Sequence, residues 1–227
     1  MSFLNVNFET IESTLKSFDR IADKFSKDVY LKINNSCYRL VDFEFYTFSK
    51  IFPDPHTYKN ELQLQTGQFY VHGSGVDITF GDGINYGGIL IRSIVKLYDG
   101  SEQEYGFMKR QIDGPQKVAT ELFSNLNSLI SNEKNDIKIV DLKGHNQDAC
   151  FYPALKTIKS KRIGLTTKPS DSDNYFMNLP LRYITLIPKF KFVLKIKGIE
   201  AILKESVLDG KIELEEVKKI LGYKLTI

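Results

Sequence analysis

The residues able to do chemistry gather between Val41 and Arg92. Asp42 and Glu44 interrupt an otherwise apolar run, Val41-Asp42-Phe43-Glu44-Phe45-Tyr46, and strand alternation puts both acids on one face. Two acids on one face point to a wet or functional surface. Downstream come His56 after Pro53-Asp54-Pro55, Tyr70 and His72 after Gly67, Asp77 after Gly73-Ser74-Gly75, and Arg92 at the end of Gly87-Gly88-Ile89-Leu90-Ile91. An unpaired buried charge is costly, so an arginine in such an apolar run needs an acid, and Glu44 and Asp77 are the candidates. The histidines with Asp54 or Asp77 are the residue types of a metal site. No His-x-x-x-His or Cys-x-x-Cys spacing supports one. Gly73-Ser74-Gly75 and Gly81-Asp82-Gly83 could hold a phosphate by backbone amides, but neither opens a helix, so both read as turns. Each residue also has a plain structural reading: Glu44 and Arg92 as an ion pair, Tyr46 and Tyr70 as core, His145 as a solvated loop residue.

The elements that must position these groups follow from periodicity. Ile11, Leu15, Phe18, Ile21, Ala22, Phe25 and Val29 recur at steps of three and four, which predicts an amphipathic helix over residues 8 to 29. Residues 28 to 40 alternate around Asn34-Asn35-Ser36 and predict a hairpin running into Val41. Short strands are expected at Leu62 to Gln65, Gln68 to His72 and Val76 to Phe80, and a central one from Gly87 to Leu97. Asp113-Gly114-Pro115 starts a predicted helix over Gln116 to Ser131. Strands follow at Ile137 to Leu142, Arg162 to Leu165 and Leu181 to Ile187. Lys189, Lys191, Lys195 and Lys197 then alternate with apolar residues, and a helical pattern runs from Glu200 to Leu221. The four lysines suit either a solvated strand face or a strip that tracks phosphates.

Short strands joined by tight turns give an α+β fold: a single domain with a curved antiparallel sheet or open barrel, flanking helices and a helical C-terminal tail. Residues 1–187 form its body, and 188–227 a basic strand and helical extension packed on it. With 227 residues, 42% of them hydrophobic and 26% charged, the chain is long enough for a sizeable core. A net charge of +3 permits a nucleic-acid partner without demanding one. Cys37 and Cys150 are expected as free thiols, and no signal peptide or bilayer-length apolar stretch is evident. A monomer in a reducing cytoplasm is the expected state.

The order of these segments over residues 15 to 187 resembles the alkyladenine (3-methyladenine) DNA glycosylase family. The resemblance rests on Asp42-Phe43-Glu44-Phe45-Tyr46, a loop histidine, Gly67-Gln68-Phe69-Tyr70-Val71, Gly88-Ile89-Leu90-Ile91-Arg92, Gly114-Pro115-Gln116-Lys117-Val118, Arg162-Ile163-Gly164-Leu165 and Pro180-Leu181-Arg182-Tyr183. It implies a monofunctional hydrolase of base-excision repair that flips a damaged purine into a pocket and cuts its N-glycosidic bond, without lyase activity. Glu44 then falls on the carboxylate that activates water, and Arg92 on the arginine that holds that carboxylate. Tyr46 and His56 fall on aromatic walls of the base pocket, and His72 on a third wall where the family has tyrosine. Tyr70 belongs to the same pocket, and Asp77 falls roughly where the family has an asparagine that screens purine edges. A carboxylate at Asp77 would raise the pKa of Glu44 by like-charge coupling. The lysines of 189–197 lie beyond the resemblance; alternation puts them on one face, where they would meet the nucleic-acid backbone. The implied partner is DNA or another nucleic acid containing modified purines, with no metal, organic cofactor or membrane.

The chain departs from the family between Val71 and Ile78, where only His72-Gly73-Ser74-Gly75-Val76-Asp77 remains and the tyrosine that wedges into the duplex is missing. A pocket without a wedge also suits a protein that binds a nucleobase, nucleotide or strand without cutting it. A purely structural protein would instead pair Glu44 and open no cavity above it.

Overall fold

The computed structural model describes residues 3–96, 110–128, 130–141, 156–170, 174–187 and 195–226. The chain folds as a mixed α+β domain in which an antiparallel sheet curls into a half-barrel. Helix α1 (Ile11–Lys27) begins where Thr10 caps it: the Thr10 hydroxyl accepts from the Ser13 amide at 3.0 Å while Ser13 Oγ accepts from the Thr10 amide at 3.0 Å. Its apolar stripe of Phe18, Ile21, Ala22 and Phe25 is fully buried, and Phe18 stacks on Phe45 with ring centroids 4.5 Å apart.

The sheet runs in the order β3 (Thr66–His72), β4 (Gly75–Phe80), β5 (Tyr86–Lys96), β2 (Ser36–Phe48), β1 (Val29–Ile33) and β7 (Ile137–Asp141). Off this path, β6 (Arg110–Asp113) extends β5, while β9 (Arg182–Leu186) joins β2 and in turn carries β8 (Lys156–Ser160). The thirteen-residue β2 is thus the spine, with β5 along one side and β1 then β9 along the other. One cluster, including α1, Leu40, Phe43, Phe45, Ile89 and Ile91, fills the inside of the curl. A second covers the opposite face of the same spine: Val41, Val95 and Ile184 pack with Ile199, Leu203, Val217 and Ile220 of the two C-terminal helices, Ile199–Leu208 and Leu214–Leu221. Burial on both faces explains why β2 is nearly continuously buried.

A bulge decides which side chains go where. The β2 to β5 register slips between Leu40 and Asp42 and again between Asp42 and Phe43. A bulge sets two successive side chains on one face, so the inner face carries Leu40, then Phe43 and Phe45, leaving Asp42, Glu44 and Tyr46 for the other.

Several expected elements differ. Residues 62–65 form a 3-10 turn over Glu61–Leu64, because Asn60 caps it: the Leu62 amide donates to Asn60 Oδ1 at 3.0 Å and the Asn60 amide to Gln63 Oε1 at 3.2 Å. Residues 162–165 are a bend rather than a strand. The strand ends at Ser160, and Gly164 lies at φ +79°, which favours glycine. Helix α2 (Pro115–Ser124) stops short of Ser131, since Asn125 turns its side-chain amide back on the Glu121 carbonyl at 2.6 Å. The C-terminal pattern is two helices separated at Gly210. Lys189, Lys191, His145 and Cys150 lie outside the described residues. No described helix is long and apolar enough to cross a membrane.

Candidate functional site

A cleft of about 560 Å³ opens where β2, β4 and β5 meet the start of α2 and the bend after β8. Tyr46, His56, His72, Asp77 and Arg92 all line it. Glu44 forms the ground beneath, wholly buried, bonded to three of the lining residues. Its Oε2 accepts from the Tyr46 hydroxyl at 2.7 Å and from Arg92 Nη1 at 3.4 Å, and its Oε1 accepts from the Ile163 amide at 3.0 Å. The last bond requires the bend at Ile163-Gly164 that replaces the expected strand.

Burial drives the Glu44 pKa above the ordinary carboxylate value. Arg92, the Ile163 amide and the Tyr46 hydroxyl pull it back down, and Asp42 pushes it further up. The like charge acting on Glu44 is therefore Asp42; Asp77, the expected source, is occupied elsewhere. Asp42 is held by Arg182, whose Nε and Nη2 donate to its two oxygens at 2.8 Å each. Arg92 bridges both acids, with Nε 3.9 Å from Asp42 Oδ2. Of its two candidate partners, Arg92 takes Glu44.

The Tyr46 wall stands on a buried cation. Arg162 lies 4.5 Å below the ring centroid, and its guanidinium is fixed by Asp54 Oδ2 at 2.5 Å and by the carbonyls of Phe45 and Phe176 at 3.2 and 2.9 Å. Burial and the neighbouring Glu44 carboxylate hold the Tyr46 hydroxyl protonated well above its ordinary pKa. Asp54 also accepts the His56 amide at 3.1 Å through Oδ1, so one buried ion pair seats both the tyrosine and the histidine loop.

Another wall is a three-ring aromatic cluster. His72 packs tilted against Tyr58 and Tyr70, at centroid distances of 4.7 and 5.0 Å, and the two tyrosines meet edge to face at 6.2 Å. Its Nδ1 accepts from the Ser74 amide at 3.2 Å, which leaves the ring hydrogen on Nε2, 2.9 Å from Asp77 Oδ1. Asp77 Oδ2 accepts from Gln63 Nε2 at 3.0 Å. With both oxygens engaged inside the protein and the residue 2% exposed, Asp77 orients His72 rather than reading a ligand edge. Gly88 makes room for this arrangement: a Cβ there would strike the Asp77 carboxylate and the Gln63 amide. Tyr70 backs His72 and does not line the cleft; exposed Tyr58 does.

Lys195 and Lys197 are exposed but do not line the cleft, whereas Lys168 stands at its rim. Among the described residues no three His, Cys, Asp or Glu side chains gather as metal ligands. Sequence reasoning missed Arg162, Tyr58 and the Asp42–Arg182 pair. Arg162 and Arg182 stood within segments already singled out, but nothing in spacing alone says that an arginine is buried.

No known family profile matches the chain. It is similar to a protein of Acanthamoeba polyphaga mimivirus described as "Uncharacterized protein L759", at 28% identity across 78% of this chain and 91% of that one.

Proposed function

We propose that the chain hydrolyses the N-glycosidic bond of a modified purine in nucleic acid. The observation that supports this reading is the convergence of Tyr46, His56, His72 and Arg92 on one cleft, with Glu44 directly beneath and bonded to two of them. The base stacks against Tyr46 and the histidine walls. Glu44 Oε1 carries one protein donor and so keeps an acceptor direction for water. It takes a proton from that water as the oxygen bonds to the anomeric carbon, the C–N bond breaks, and the base leaves with the bonding electrons. A leaving base that is already cationic departs neutral, so one correctly placed base suffices. Arg92 holds the carboxylate in position.

Base release from alkylated, deaminated and single-stranded substrates tests the reading. Because Glu44 must be ionised to act and its pKa is raised, the rate is expected to climb with pH along an acid limb whose midpoint lies above the ordinary carboxylate range. A limb inside that range, or a flat profile, removes Glu44 as the base.

A second reading, binding of a base, nucleotide or strand without cleavage, is favoured by the β3–β4 turn, which carries no aromatic wedge between His72 and Gly75. Holding a duplex open after flipping costs a few kcal/mol that a wedge would offset. Unchanged affinity in Glu44→Gln together with no base release from the native chain selects this reading.

A further inference from the structure

Thr57 follows His56 on the wall of the cleft and is 4% exposed, yet its Oγ1 has no hydrogen-bond partner among the described residues. A buried hydroxyl without a partner is costly, and replacing it by a methyl group of the same shape would remove that cost. The position is tightly held. The Thr57 amide donates to the Asp54 carbonyl at 3.3 Å, and Asp54 is locked by Arg162. Arg92 Nε, on another side chain lining the same cleft, is likewise without a hydrogen bond. At 3.9 Å its nearest acid is too far to accept one.

We propose that Thr57 reads a polar substituent on the edge of the bound base. This deepens the base-pocket reading and rests on it. The hydroxyl both donates and accepts, so it serves oxo and amino substituents alike and discriminates against a ring whose facing edge is bare. Tyr46 and His72 supply stacking that any purine satisfies; Thr57 supplies selectivity among purines. Its backbone is held by the bond to the Asp54 carbonyl before the ligand arrives, so little main-chain ordering is required on binding.

Titration calorimetry of the native chain and Thr57→Val with hypoxanthine, 2-aminopurine and unsubstituted purine, beside their thermal melting, tests this. The native chain is expected to bind at least one substituted purine roughly tenfold tighter than the bare ring, as one hydrogen bond would give. Thr57→Val is expected to lose that margin, keep its affinity for the bare ring, and melt no lower than the native chain. A margin that survives in Thr57→Val, a native chain that binds all three equally, or a valine variant that melts lower because the hydroxyl was structural would each overturn the role of Thr57. A native chain that binds none of the three overturns the base pocket itself.

Discussion

Glu44→Gln is expected to lower base release by more than about a hundredfold while leaving the fold at least as stable at neutral pH. The two halves have one cause. The folded state holds Glu44 with a raised pKa, so its contribution to stability is fully present below the unfolded value and is lost as pH rises through the folded value. Wherever the carboxylate is ionised it therefore weakens the fold relative to its neutral form, a cost that a neutral isostere does not carry. Glutamine keeps an acceptor for the Ile163 amide, and Arg92 keeps Asp42 as a neighbour. Thermal melting and base release on the same preparation check both. Undiminished release sinks the catalytic assignment. A melting point that falls sharply would instead make the carboxylate a structural partner of Arg92.

Arg162→Met is expected to be the most damaging single change at the site, costing about 3–5 kcal/mol of stability, since it strands a buried acid. Both side chains of the Arg162–Asp54 pair have 0% exposure, and the Phe45 and Phe176 carbonyls lose their donor as well. Tyr46 then loses the cation below its ring, and the His56 loop loses the lock on Asp54. Urea denaturation of Arg162→Met beside the double variant Arg162→Met/Asp54→Asn separates the causes. Much of the loss should return in the double variant, where no charge is left unpaired. A single-variant loss below about 1 kcal/mol would show that the pair contributes no more than a surface ion pair.

The fold was legible in the sequence where one apolar period dominated, as in α1, β4 and β5. It was illegible where side chains bonded to nearby backbone. Asn60 and Asn125 redirect the chain by hydrogen bonds that hydrophobic spacing does not record. The site divides in the same way. Glu44, Tyr46, His56, His72 and Arg92 all come from one continuous stretch and could be picked out together. Arg162 and Arg182 reach it from the far end of the chain, and their burial depends on how β8 and β9 dock. The reach of Asp77 to His72 and Gln63 depends on a hairpin register that only the folded sheet fixes.

The bonds that finish the cleft span long stretches of chain: Glu44 to Ile163 across 119 residues, Asp54 to Arg162 across 108, and Asp42 to Arg182 across 140. Loop closure over such separations costs entropy before any contact rewards it, so these contacts are expected to form late in folding. A chain that has paired β2 with β5 but not yet docked β8 and β9 leaves Asp42 and Glu44 in water with no pocket above them. Competence therefore arrives in one late step. Native-state hydrogen exchange is expected to find the Ile163 amide opening with β8 and β9 as a unit; independent, low-energy opening of that amide would contradict this order.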